Sequence, residues 1–174
     1  MDLKRIKKDI TAVILCGGQG QRLRPITKDL PKPLIMIKDK PILYYIIEHL
    51  KKYGVSKYVI ATGYKSDQIK EYMATEFSDL DYKIVDSGDT DILTRVKKCL
   101  KGIDGDIILN YGDTISDIDI DKFMSFHGTH EKNITISSYP ISIPFGVMTI
   151  DKNNNVRKFE EKPILNEVMN IGYY

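Results

Sequence analysis

Ile10-Thr11-Ala12-Val13-Ile14-Leu15-Cys16-Gly17-Gly18-Gln19-Gly20 is the stretch on which the fold turns. Residues 10–16 form a continuous apolar run of strand length that stops in a glycine cluster, as a strand buried on both faces does. Further on, Pro41 and Gly54 bracket Ile42, Tyr45, Ile46, His49, Leu50 and Tyr53 at helical spacing, with proline at the start and glycine at the end. Lys57–Thr62 is a second strand, and Ser66 begins a segment with Ile69, Tyr72, Met73 and Phe77 on one helical face. Asp81–Asp86 is a further strand. Asp91 caps a helix carrying Ile92, Val96 and Leu100, and residues 106–111 form another apolar strand that ends at Gly112-Asp113. This alternation predicts an α/β fold: a Rossmann-like, mostly parallel sheet flanked by helices, with ligands outside the carboxyl ends of the strands. Residues 17–20 and Gly112-Asp113 both fall there.

After a helix expected over residues 119–131 the pattern changes. Strands expected at 133–139, 145–150 and 156–160, with an Asp151-Lys152-Asn153-Asn154-Asn155 turn between the last two, are hairpin chemistry. No internal repeat, low-complexity segment or linker divides the chain, so residues 1–174 are expected to form one domain.

Bulk properties exclude several classes. Lys and Arg number 26 against 24 Asp and Glu, and a formal charge of +2 is far too small for a nucleic-acid surface, so any anion must be held locally. Residues 1–8 are basic and precede an apolar run. That run is too short for a signal peptide, contains Thr11, and stops at Gly17-Gly18 rather than at a small-residue cleavage site. No stretch approaches the ~20 apolar residues of a membrane span. Cys16 and Cys99 have no C-x-x-C spacing, which suggests reduced thiols in a cytoplasmic protein.

Chemistry concentrates in a few places. In Leu15-Cys16-Gly17-Gly18-Gln19-Gly20-Gln21-Arg22-Leu23-Arg24-Pro25, three glycines within four residues let backbone N–H groups approach a ligand and form an anion-binding nest, and Arg22 adds a forked positive charge. Polyphosphate is the natural guest. A dinucleotide G-x-G-x-x-G would need glycine at Leu23, and the P-loop pattern occurs nowhere. Pro31-Lys32-Pro33 holds a lysine on a stiff segment. Asp113, after a strand, can reach a magnesium ion that bridges phosphate oxygens. In Phe159-Glu160-Glu161-Lys162-Pro163, a carboxylate suits sugar hydroxyls and the neighbouring lysine a sugar's phosphate. Singly, each has a plainer explanation: a flexible turn, a surface lysine, a Gly-Asp turn, a surface ion pair. His127-Gly128-Thr129-His130-Glu131 matches neither H-E-x-x-H nor H-x-x-E-H, and no nucleophile signature is present.

The ordered set Leu-Cys-Gly-Gly-Gln-Gly-Gln-Arg-Leu-Arg-Pro, Pro-Lys-Pro, Tyr-Gly-Asp, Phe-Gly-Val, Phe-Glu-Glu-Lys-Pro and Asn-Ile-Gly resembles the sugar-phosphate nucleotidyltransferases, from about Thr11 to Tyr174. The resemblance implies an Mg2+-dependent transfer that joins a sugar 1-phosphate to a nucleoside triphosphate and releases pyrophosphate. It implies that Leu15, Cys16, Gly17, Gly18, Gln19 and Gly20 hold the nucleotide together with Arg22 and Gly112. Lys32 would contact phosphates, Asp113 would bind the metal, and Gly146, Glu161 and Asn170 would contact the sugar. Lys162 would take the sugar's phosphate, which puts the C-terminal β-hairpin on the sugar side of the site. Arg22, Lys32, Asp113 and Lys162 are thus the catalytic set.

Val85-Asp86-Ser87-Gly88-Asp89-Thr90 resembles the Val-Asp-Thr-Gly-Asp stretch of glucose-1-phosphate cytidylyltransferases, where many relatives carry a Pro-Leu-Gly-Thr type segment. This implies CTP, with Gly88 and Arg95 beside a pyrimidine. Gln21 departs from the usual threonine or glutamate. Relatives continue past the position of Tyr174 to a second metal-binding aspartate, so a C-terminally truncated chain is expected, and an inactive nucleotide-binding or regulatory homologue stands as the alternative. Family members are commonly oligomers, which implies a homo-oligomer; neither nucleic acid nor membrane is an expected partner.

Overall fold

The computed structural model describes residues 10–174, and the basic stretch 1–8 lies outside the described residues. The described residues divide into two compact units, one running to residue 135 and including 172–174, the other residues 136–171.

The first unit is built on strand β1 (Thr11–Leu15). It is followed by a 3-10 turn (Gln21–Leu23), a short helix α1 (Ile26–Asp29), a second 3-10 turn (Lys32–Leu34), a two-residue pair β2 (Met36–Ile37) and β3 (Lys40–Pro41), and helix α2 (Ile42–Lys52). Then come β4 (Lys57–Thr62), α3 (Ser66–Glu76), β5 (Asp81–Asp86), α4 (Ile92–Cys99), β6 (Ile107–Tyr111) and α5 (Ile120–His127). β5, β4, β1 and β6 form one parallel sheet in that order, with Ile14 level with Ile60 on one side and Asn110 on the other. Central β1 and β4 are almost continuously buried while outer β5 and β6 alternate, as full and partial coverage dictate. Residues 172–174 run antiparallel beside β6, where Leu109 and Tyr174 exchange N–H···O bonds of 3.0 and 2.9 Å.

Successive β1 residues serve opposite faces. Ala12 and Ile14 join a core with Leu43, Ile46, Ile47 and Leu50 of α2 and Ile69 and Met73 of α3, whereas Val13 packs with Val59, Ala61 and Cys99 of α4. Helices therefore flank both faces. The chain steps from β1 outward to β4 and β5, then returns to β6 on the other side of β1. That reversal leaves a crevice where the segments after β1 and β6 diverge.

Two expectations need correction here. Helix α4 has the expected Asp91 cap, whose carboxylate accepts the Thr94 N–H at 2.9 Å. Its inward residues, however, are Arg95 and Cys99, while Ile92 and Leu100 are exposed, because the space against the sheet takes a guanidinium's hydrogen bonds rather than the aliphatic stripe. The helix expected over 119–131 stops at His127.

The second unit pairs β7 (Ser138–Ser142) antiparallel with β10 (Ile164–Asn170), and between them β8 (Val147–Ile150) and β9 (Val156–Glu160) form the expected hairpin. Asp151 shapes its turn by accepting the N–H groups of Asn153 and Asn155, both at 2.9 Å. Of the strand expected at 133–139 only Ser138 and Tyr139 are strand. Thr135 is buried with its hydroxyl bonded to His127 Nδ1 (2.7 Å) and His130 Nε2 (3.0 Å), which anchors this stretch to the end of α5 instead of a ladder. β10 had no expectation, because Asn166 and Glu167 interrupt its alternation.

Candidate active site

The loop leaving β1 is tied to both neighbouring strands. Cys16 N–H donates to the Ala61 carbonyl (2.8 Å), the Gly17 carbonyl accepts from Tyr64 N–H (3.2 Å), and Gly112 N–H donates to the Leu15 carbonyl (3.0 Å). Gly20 then turns with φ 61°, a left-handed conformation that suits glycine, and a Cβ there would lie 2.9 Å from the Thr27 methyl. Thr27 is fully buried. Its hydroxyl donates to the Gly20 carbonyl (2.9 Å), and its own carbonyl accepts from the Tyr64 hydroxyl (3.0 Å). Among the described residues, the N–H groups of Gly18, Gln19 and Gly20 have no protein acceptor, so the loop arrives braced with donors to spare.

The second side of the crevice is ionic. Pro31 and Pro33 are buried around Lys32, whose ammonium pairs with the carboxylate of Asp113 from 81 residues away. Both side chains are about one-third exposed or less (27% and 32%), so each can exchange partners. A cavity of about 500 Å³ opens here. Of the expected residues, Leu15, Cys16, Gly17, Gly18, Gly20, Arg22, Lys32, Arg95 and Asp113 line it. Arg22, Lys32 and Arg95 against the single carboxylate of Asp113 give the cavity an excess of positive charge, which suits an anion. Burial, and then the Asp113 charge, push the Cys16 thiol up, so it stays protonated and serves as packing.

Gln19 is not among the lining residues; its side-chain oxygen accepts from Gln21 Nε2 at 2.9 Å. Gly112 is buried under the loop, and Gly88 reaches the site through its carbonyl, which accepts from Arg95 Nη2 at 3.1 Å. Arg95 itself is 5% exposed and also donates to the carbonyls of Thr62 (2.7 Å) and Thr90 (3.3 Å). In the second unit, Gly146 lies against the Phe159 ring and the Glu161 carboxylate, Lys162 is exposed with φ 47°, and Asn170 pairs with Ser138. Sequence reasoning missed Thr27 and Tyr64, which brace the loop, and Thr90, Ile92 and Tyr111, which line the cavity. Tyr111 stood inside the quoted Tyr-Gly-Asp; nothing local marked Thr27.

Asp113 is the one carboxylate lining the cavity, and no group of three or more metal-ligating side chains occurs among the described residues. Such a donor set fits Mg2+, which takes one or two carboxylates and completes its shell with phosphate oxygens and water. It does not fit an all-protein cage.

Known proteins are similar to this chain over most of its length. The profile of the Nucleotidyl transferase family matches residues 11–174. The chain is 37% identical over 169 residues to the D-glycero-alpha-D-manno-heptose 1-phosphate guanylyltransferase of Campylobacter jejuni, covering 94% of this chain and 74% of that one. It is 34% identical over 178 residues to the glucose-1-phosphate cytidylyltransferase of Salmonella typhimurium, covering 87% and 68%. The crystal structure of HddC from Yersinia pseudotuberculosis complexed with GMP-PN superposes with a TM-score of 0.73 at 26% identity, covering 94% and 74%. Because the family profile spans nearly the whole chain, the chain belongs to the nucleotidyl transferase family.

Proposed function

We propose that this enzyme joins a sugar 1-phosphate to a nucleoside triphosphate, CTP by preference, giving a nucleoside-diphosphate sugar and pyrophosphate. The observation that carries the reading is the Lys32–Asp113 pair at the rim of the glycine-loop cavity. One partner suits phosphate oxygens and the other a divalent cation, so a metal–triphosphate can replace both contacts at once. A partly exposed pair contributes little net free energy, roughly 0–1 kcal/mol, so the exchange costs little.

In this mechanism the loop N–H groups and Arg22 take the β- and γ-phosphates, and Lys32 takes oxygens at the reacting phosphorus. The family resemblance assigns the sugar phosphate to Lys162 and the sugar to Gly146, Glu161 and Asn170. An oxygen of the sugar phosphate forms a bond to the α-phosphorus as the α–β bridging bond breaks, and the electron pair leaves with pyrophosphate. No covalent enzyme intermediate is needed, and the rate comes from positioning and fixed positive charge. Mg2+, held by Asp113 and phosphate oxygens, would supply further neutralisation of the transferring group.

CTP is favoured by the resemblance of residues 85–90 to the cytidylyltransferase segment. GTP is the second reading, supported by the 37% identity to a guanylyltransferase and by the GMP-PN-bound neighbour. Pyrophosphate release is measured with each of the four ribonucleoside triphosphates against glucose 1-phosphate, mannose 1-phosphate and D-glycero-alpha-D-manno-heptose 1-phosphate. The expected result is turnover above background with CTP; turnover with GTP alone replaces the base assignment, and none with any pair sinks the reaction.

A further inference from the structure

Arg95 is a buried cation whose three hydrogen bonds all run to main-chain carbonyls, Thr62 at the end of β4 and Gly88 and Thr90 in the loop before α4. Two glycines make room for it. A Cβ at Gly17 would fall 1.2 Å from Arg95 Nη1, inside its atomic radius, and one at Gly63 would fall 2.5 Å from Nη1 and from the Gly88 carbonyl oxygen. The guanidinium therefore lies against Gly17 of the glycine loop while its fork holds the carbonyls of Gly88 and Thr90. We propose that Arg95 is a positioning residue for base selection: it sets loop 87–90 in register with the glycine loop through carbonyls, and Gly17 and Gly63 lack side chains to admit it. This rests on the nucleotide reading of the cavity.

A planar fork reaches these carbonyls from two separate nitrogens, and an ammonium, whose donors all sit on one nitrogen, does not reproduce that spacing. Arg95→Lys and Arg95→Met are thus expected to behave alike in one respect. Titration calorimetry of CTP, UTP, GTP and ATP with MgCl2 should show the preference among bases flattened about tenfold or more in both, with the least favoured triphosphate changed by less than about threefold. Weakening of all four by the same factor, restored by lysine, would make Arg95 a direct phosphate ligand and overturn the proposal. The packing half is tested by unfolding alone. Gly17→Ala should lower the melting temperature strongly in the parent and much less beside Arg95→Met; additive losses overturn the pairing. Should Arg95→Met not fold, Gly17→Ala beside Arg95→Lys serves, with the loss again reduced. A parent that binds no triphosphate removes the base-selection half together with the nucleotide reading, and the unfolding cycle still decides the pairing.

Discussion

Lys32 and Asp113 carry opposite charges that neutralise one another across the crevice, yet each is suited to a different part of a metal–triphosphate. Asp113→Asn keeps the shape and removes the charge. Pyrophosphate release followed against Mg2+ concentration is expected to fall at least about 100-fold, while the melting temperature barely changes because a partly exposed pair contributes little. Activity within about twofold at limiting Mg2+ would remove Asp113 from the metal site. Lys162 tests the other substrate. If it holds the attacking phosphate, Lys162→Ala should lower turnover by roughly 30- to 1000-fold, equivalent to about 2–4 kcal/mol, and leave triphosphate affinity intact. Equal turnover would reduce it to a surface cation.

At the scale of elements, helix burial separates expectation from outcome. Along α2 the expected Ile42, Ile46 and Leu50 are buried, Tyr45, His49 and Tyr53 are only half-buried, and Leu43 and Ile47, outside the expected face, are fully buried in the core beside the sheet. Ile47→Ala is therefore expected to cost about 3 kcal/mol in urea denaturation, the scale of a deleted core side chain. α4 departs further from its expected face. Leu93 is 69% exposed, so Leu93→Gln should change stability by less than about 0.5 kcal/mol, although the residue is as apolar as Ile47. The two measurements together test which face of each helix meets the sheet.

At the scale of the molecule, four carboxylates distributed over both units are held below their ordinary range by hydrogen bonds to the ionised form. Asp86 is lowered chiefly by the Gly88 N–H, Asp91 by the Thr94 hydroxyl and N–H, Asp119 by the Lys122 N–H and Asp151 by the Asn155 N–H. A carboxylate depressed in the folded state adds stability that is fully present above its unfolded value, about 3.9, and is lost as pH falls through the lower folded value. Denaturation midpoints should accordingly be level from about pH 7 to pH 5 and drop below about pH 4. A curve that instead rises on acidification would show that these bonds do not persist in solution.

The sequence by itself determined the parallel α/β sheet, the bounds of β4 and β5, the cap of α4, the hairpin turn at Asp151 and the glycine loop. These depend on short-range causes: apolar runs, the period of a helix, and backbone preferences of Gly, Pro and Asp. It also marked Arg22, Lys32 and Asp113 as residues able to manage phosphate and metal. Only the tertiary structure decided that Lys32 and Asp113 meet, because strand order brings the segments after β1 and β6 to one crevice. It likewise decided that Arg95 turns inward while Ile92 and Leu93 stay out, that Thr27 braces Gly20, and that β10 pairs with β7. Each of those outcomes depends on which partner the topology supplies, and a residue's own neighbours in sequence carry no record of that partner.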